Sequence, residues 1–336
     1  MTSPHSTLEK NSDLLDWVLI AKGIGIILVV IGHYNPQGSP SYWNELNKLI
    51  YSFHMPLFFI LSGYLFSPNK YSYYELLLNK FKRLIYPFIT IAIIFIFIKL
   101  GMGKLVHLDH PVTSESIINL FINPVHSYMP LLWFVYSLFL MFLLYPLINK
   151  IIKNNIAILI LFIAINTLVN LNLEGLNKVI FNFPFFVLGI IIRENSSIIK
   201  TSTNSMATLT ALITFSTIYY FYNYPQTIYL TTFLLATSGS FLIISLSKRL
   251  SMYSLKNFLR KTLVRVGAFS MSIYFFHPLF ESTIRIFFSQ LKQTNLSFEL
   301  IATIAILSGV IFPYLAEKHV FYKYNFTKQY FLGLSK

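Results

Sequence analysis

Apolar blocks too long and too continuous for a soluble core divide this chain. Residues 84–100 read LIYPFITIAIIFIFIKL, with a single lysine near the far end. Blocks of this kind run for about 14–22 residues, and a helix rising about 1.5 Å per residue needs that length to cross roughly 30 Å of hydrocarbon. Their continuity argues against a barrel, whose strands would alternate apolar and polar positions. The chain is 55% hydrophobic and only 11% charged, whereas soluble domains carry about a quarter charged residues. The expectation is an all-α, polytopic membrane protein. Ten spans can be read, at 14–34, 48–67, 84–100, 131–148, 156–172, 179–192, 206–222, 228–247, 266–288 and 299–316. The sixth is short and holds Pro184 and Gly189, which suits a span that is tilted, broken or buried in the bundle.

A formal net charge of +14 would suit a nucleic-acid binder, but in a membrane chain lysine and arginine mark the cytoplasmic side. With the N-terminus inside, 19 of the 26 Lys and Arg residues fall on cytoplasmic segments. This asymmetry predicts an even number of spans with N- and C-termini both cytoplasmic. Residues 1–13 then form a cytoplasmic N-terminal segment, 14–316 a ten-helix membrane domain and 317–336 a cytoplasmic tail. Asp13 and Asp16 stand where a signal peptide carries basic residues, so the first block is expected to be an uncleaved span. The absence of cysteine rules out disulfides and an acyl-cysteine intermediate. The longest outer loop, 101–130, is placed to form a lid or re-entrant piece over an outward-facing cavity.

Against this background a few polar residues stand out. The run AKGIGIILVVIGH carries Lys22 near its start and His33 at its end. The interval is about three helical turns, which puts both side chains on nearly one face, about 16 Å apart. Ionisable groups inside a membrane usually face a cavity or a partner and serve function. A histidine, titrating near neutrality, can act as general base. The plainer alternative is a snorkelling lysine and an interfacial histidine. FHMPLFFILSGYLF, from Phe53, opens the second span and brings His54 near His33 on the outer side. Ser62 and Gly63 permit close helix packing there. In NKFKRLIYPF, Lys80 and Arg83 share a helix face at the cytoplasmic start of span three and could hold phosphates, whereas Lys82 reads as ordinary positive-inside charge. Trp133 enters span four where an aromatic-belt residue belongs. His277, Glu281 and Arg285 recur every fourth position, as either an ion-pair ladder or a substrate contact. His107, Asp109 and His110 lie together in the outer loop, but two histidines three apart do not make a metal site, and no metal is expected.

Together these motifs resemble the integral-membrane acyltransferase family 3. Its members carry Arg or Lys, ten residues and then His in the first span, matched by Lys22 and His33. A Phe-His-x-Pro segment leading to Ser-Gly opens their second span, matched from Phe53 to Gly63. A basic-x-x-Arg element precedes the third, matched by Lys80 and Arg83. Trp133-Phe134 and the segment Tyr274 to Pro278 resemble later family elements. The first motif is most similar to the fucose 4-O-acetylase-like branch. Two positions depart from the pattern. Leu19 stands where an acidic residue is common, and Asp16 lies one turn earlier. Lys80 replaces an arginine, offering a point charge in place of a bidentate fork.

The resemblance implies a bacterial inner-membrane enzyme that takes an acyl group, usually acetyl, from cytoplasmic acyl-CoA. The acceptor it implies is a hydroxyl on a surface glycan or lipid-linked saccharide. His33 would be the general base and His54 a partner able to stabilise the oxyanion. Lys22, Lys80 and Arg83 would bind the acyl donor. Asp16, Ser62, Trp133, His277, Glu281 and Arg285 remain as an acceptor-binding or structural polar network. Acetyl-CoA is then a co-substrate, with no bound cofactor, and the partners are the glycan and the bilayer. Direct displacement and an acyl-enzyme relay both stay open. The alternative from another class is a transporter or flippase of a glycan or lipid-linked intermediate. That reading predicts inverted repeats, which the sequence does not display. Nothing in the sequence specifies the acceptor sugar or an oligomeric state.

Overall fold

The structure is a computed structural model and describes residues 4–103, 110–169, 174–195, 197–198, 205–222, 229–254, 257–290 and 296–333. His107 and Asp109 lie outside the described residues. Among the described residues the regular elements are helices, with no strand. In chain order they are α1 (Pro4–His33), α2 (Ser41–Tyr51), α3 (His54–Tyr64), α4 (Tyr73–Lys80), α5 (Tyr86–Met102), α6 (Ser114–Ile122), α7 (Trp133–Ile152) and α8 (Asn155–Leu168). There follow α9 (Glu174–Glu194), α10 (Ser205–Tyr222), α11 (Tyr229–Ser251), α12 (Phe258–Ala268), α13 (Ser270–Gln290), α14 (Phe298–Ala316) and α15 (Asn325–Leu332).

Helix occurs at each of the ten apolar blocks, but the blocks are not equivalent. Among the described residues six stretches are long and apolar enough to cross a membrane: Asp16–His33, Tyr73–Gly101, Pro130–Ile152, Gly175–Glu194, Tyr229–Ser251 and Phe298–Phe321. The pair α12 and α13, bent by 83°, makes a seventh if counted as one span. Asn155–Leu168 and Ser205–Phe221 are apolar but shorter. The second block breaks between α2 and α3 at Ser52 and Phe53. Large apolar side chains face outward, with Phe97 71% and Ile160 62% exposed. Water would penalise that surface and lipid does not. This is a multi-pass membrane protein.

The chain forms two compact units, one of Met1–Ser62 with Ile192–Glu317 and one of Gly63–Ile191 with Lys318–Lys336. In the first, α1 is the hub and packs against α2, α11, α12, α13 and α14. Trp17, Ile20, Ala21, Ile26, Val29 and Val30 of α1 are all buried. A helix apolar on most sides belongs in the middle of a bundle. Glycines set its closest crossing. A Cβ on Gly267 of α12 would stand 1.8 Å from the Leu19 carbonyl oxygen, and one on Gly23 would stand 2.3 Å from that of Leu263. This crossing also explains a difference from the sequence reading. Span nine was expected from residue 266, but 258–268 lies against α1 as the separate helix α12, and α13 begins only at Ser270.

The second unit is built around aromatic rings. Phe66, Phe142, Tyr145 and Phe186 pack mostly edge to face, with centroid separations from 5.1 to 6.0 Å. Gly63 lets α3 approach α9, since a Cβ there would sit 1.9 Å from the Phe186 carbonyl oxygen. Between α4 and α5 the backbone widens into a π turn over Phe81–Ile85. The expected C-terminal tail is also folded, because α15 packs on α5 and on this turn, with Tyr330 stacked 5.4 Å from Tyr86.

The α1–α12 crossing leaves no room for a methyl group. Gly267→Ala should destabilise the protein by about 1–3 kcal/mol or more, because the clash is with backbone. Gly101→Ala, where nothing lies within 4 Å of the added carbon, should be neutral or stabilising by about 0.5–1 kcal/mol. Thermal unfolding of the detergent-solubilised variants would test both, and equal melting temperatures would contradict the crossing.

Candidate active site

Three imidazoles and a phenol meet in the first unit. His33, the last residue of α1, lies 5.3 Å from the His277 ring of α13 and 5.8 Å from the Tyr51 ring at the end of α2. Tyr51 in turn packs edge-on against His54, the first residue of α3, at 4.8 Å. His33 is exposed, whereas His54 and His277 are buried. The cluster thus has two enclosed rings and one that a ligand can reach. Gly32 makes room for it, because a Cβ there would press within 3.3 Å of the Tyr51 ring.

Hydrogen bonds fix the tautomers of the two buried rings. His54 donates its Nδ1–H to the Ile50 carbonyl at 2.8 Å, and His277 donates its own to Ile273 at 2.9 Å. A carbonyl can only accept, so Nε2 of each neutral ring is a bare acceptor. The neutral His54 therefore has no N–H left for an oxyanion, which shifts that expected role away from it. Prolines stand beside both rings, at Pro56 and Pro278. A proline supplies no N–H to the preceding turn and loosens the backbone there. The Tyr51 hydroxyl lies 3.4 Å from Nδ1 of His33, a long contact of the kind that tightens when substrate binds.

Buried polar atoms without partners gather beside this cluster. Nε2 of His277 and Oε1 of Glu281, one turn further along α13, have no hydrogen-bond partner. Gly309 of α14 lies opposite, where a Cβ would stand 3.2 Å from Oε1. The His277–Glu281–Arg285 stripe is thus not an ion-pair ladder. Arg285 is exposed, and no ion pair joins it to Glu281 among the described residues.

At the other end of α1, Asp16 accepts a hydrogen bond from Nη2 of Arg260 at 2.6 Å. Arg260, on α12, is buried and also donates to the Tyr253 carbonyl. The acidic residue near the lysine therefore ties α1 to α12. Lys22 lies between the two ends and is half-buried.

In the second unit, Lys80 ends α4 with its Nζ 3.4 Å from the centroid of Phe142 and 5.6 Å from that of Phe66. Arg83 is exposed within the π turn, and its backbone lies against Gly333, just past α15. The two side chains, three residues apart, lie within electrostatic reach of each other. Trp133 opens α7, and Nζ of Lys178 stands 5.6 Å above its ring. Ser62 is half-buried on α3. Among the described residues no group of three His, Cys, Asp or Glu side chains could hold a metal ion. Sequence reasoning missed Tyr51 and Arg260. Neither stands out in the chain, because Tyr51 is one of 22 tyrosines and Arg260 sits in a run of cytoplasmic-type charge.

The profile of the family Acyl_transf_3, described as an acyltransferase domain, matches residues 15–317. The chain belongs to this acyltransferase family. A short segment is also similar to nodulation protein NolL of Mesorhizobium japonicum, 52% identical over 52 residues, or 14% of this chain and 14% of that protein. No solved structure matches. Membership of this family favours the acyltransferase expectation over the transporter alternative.

The Asp16–Arg260 pair of this acyltransferase is open to a double-mutant cycle. Asp16→Ala leaves a buried guanidinium without its counter-charge, whereas Arg260→Ala leaves a carboxylate nearer the surface. Asp16→Ala should therefore cost more, and the double variant should lose less than the sum, with a coupling of about 0.5–3 kcal/mol. Chemical denaturation in detergent reads this directly, and additive losses would show the pair to be uncoupled.

Proposed function

We propose that this acyltransferase moves an acetyl or related acyl group from cytoplasmic acyl-CoA to a hydroxyl of a cell-envelope glycan sugar. Its setting is a bacterial inner membrane, with ten spans and both termini cytoplasmic. The observation that carries the proposal is the exposed His33 imidazole, backed by Tyr51, His54 and His277, in a chain of this family. An acyl transfer without cysteine needs a base for the acceptor hydroxyl, and His33 is the reachable imidazole of the cluster.

In this mechanism Nε2 of His33 takes the proton of the sugar hydroxyl as its oxygen attacks the thioester carbonyl. Nδ1–H of His33 is donated to the Tyr51 oxygen, which holds the ring and steadies the imidazolium. The Tyr51 O–H remains available to the tetrahedral oxyanion, replacing the expected contribution of a neutral His54. The C–S bond then breaks, and the imidazolium returns its proton to the CoA thiolate. Lys22, Lys80 and Arg83 supply positive charge for the donor phosphates. A phosphate arriving at Lys80 exchanges a cation–π contact for a charge-assisted hydrogen bond. His277, Glu281, Ser62 and Trp133 are proposed for the acceptor side, while Asp16 is proposed to hold α1 in place.

Inside-out vesicles given radiolabelled acetyl-CoA would show label entering an extracted glycan or lipid-linked sugar fraction. His33→Ala should lower transfer by about 10²–10⁴ or more with the protein still inserted. Normal transfer by that variant would sink the mechanism. Tyr51→Phe should lower kcat by about 10²-fold with little change in KM for acetyl-CoA. An unchanged kcat would remove Tyr51 from the reaction.

A further inference from the structure

The outer loop expected as a lid is a built wall. Lys99, at the end of α5, donates from Nζ to the carbonyls of His110 at 2.8 Å and Tyr128 at 2.5 Å. One ammonium thus pins both ends of the segment 110–128. The Tyr128 hydroxyl adds a bond to the Ala92 carbonyl at 2.9 Å. Within the segment, Thr113 and Ser116 cap α6 reciprocally, at 3.1 and 2.8 Å. Gly175 brings the start of α9 onto the end of α6, since a Cβ there would stand 1.8 Å from the Ile122 carbonyl oxygen.

Two cavities open against this wall, of about 510 and 350 Å³. They share Asn123 and His126 in their walls, so they lie side by side and are taken together as one groove. Each has the size of a small-molecule site. Asn119 lines one end and Asn177, Lys178 and Phe181 the other.

We propose that this groove is a saccharide-binding subsite in which the glycan acceptor docks. Its role as acceptor site rests on the function proposed above. Three carboxamides face it, and each carries both donors and acceptors, as does every sugar hydroxyl. An apolar ligand would require an apolar lining, and an anion would require several cations. The lysine present, Lys178, lies over Trp133. Phe181 offers a ring face for the C–H side of a pyranose.

The test uses the full-length protein in detergent and a fluorophore-tagged oligosaccharide pool released by mild acid from the host cell's envelope glycans. Binding is followed by fluorescence anisotropy. The pool should bind the wild type and His33→Ala alike, because His33 does not line the groove. The pair Asn119→Ala/Asn177→Ala, the first half-buried and the second exposed, should weaken binding about tenfold, and Phe181→Ala should do so independently. Absence of binding by the wild type, or equal binding by the Asn119/Asn177 and Phe181 variants, would overturn the subsite. Transfer from radiolabelled acetyl-CoA is scored separately. Binding without transfer would reject the acetyl-transfer reading and leave the subsite standing.

Discussion

A polar group inside a bilayer has no water to fall back on, and this constraint orders the whole molecule. Each buried donor or acceptor must find a partner within the protein or impose a penalty on the fold. Asp16 and Arg260 meet that demand together and join α1 to α12. His54 and His277 meet it by turning back on their own helices. Lys99 meets it by gathering two loop carbonyls, and Lys80 by lying over aromatic faces. Among the buried polar atoms that lack a partner are Nε2 of His277 and Oε1 of Glu281. They stand beside the exposed His33, where a visiting substrate would supply what the protein lacks.

Much of this was legible in the chain because hydrophobic length and intramembrane charge are strong signals. Continuous apolar blocks left only helices available, and each block is helical. The approach of His33 and His54 followed from one helix ending where the next begins. Other features depend on backbone detail that residue types do not announce. The sequence of α12 reads as a charged cytoplasmic loop, and its docking on α1 rests on Gly267 meeting Leu19. The π turn at Phe81–Ile85 has no compositional mark. Tyr51 joins the cluster from the last position of α2, three residues before His54, a spacing that residue types alone do not single out.

The two units divide the proposed chemistry. The first holds the imidazoles and Lys22, while the second holds Lys80, Arg83, Trp133 and the polar groove. The chain passes between them three times, within α3 after Ser62, within α9 after Ile191 and just past α14 after Glu317. Close helix crossings in each unit are made by glycine rather than by interlocking large side chains. That is the economy expected where lipid offers no hydrophobic gain for bringing helices together.

The fold of residues 325–333 has a practical consequence for handling the protein. Gly333 takes a left-handed conformation, φ +62°, with a would-be Cβ only 2.5 Å from the Arg83 backbone. A purification tag or fluorescent protein fused after residue 336 would be tethered three residues from that contact. It would crowd the approach to a guanidinium proposed to receive donor phosphates, and its own charges would compete for it.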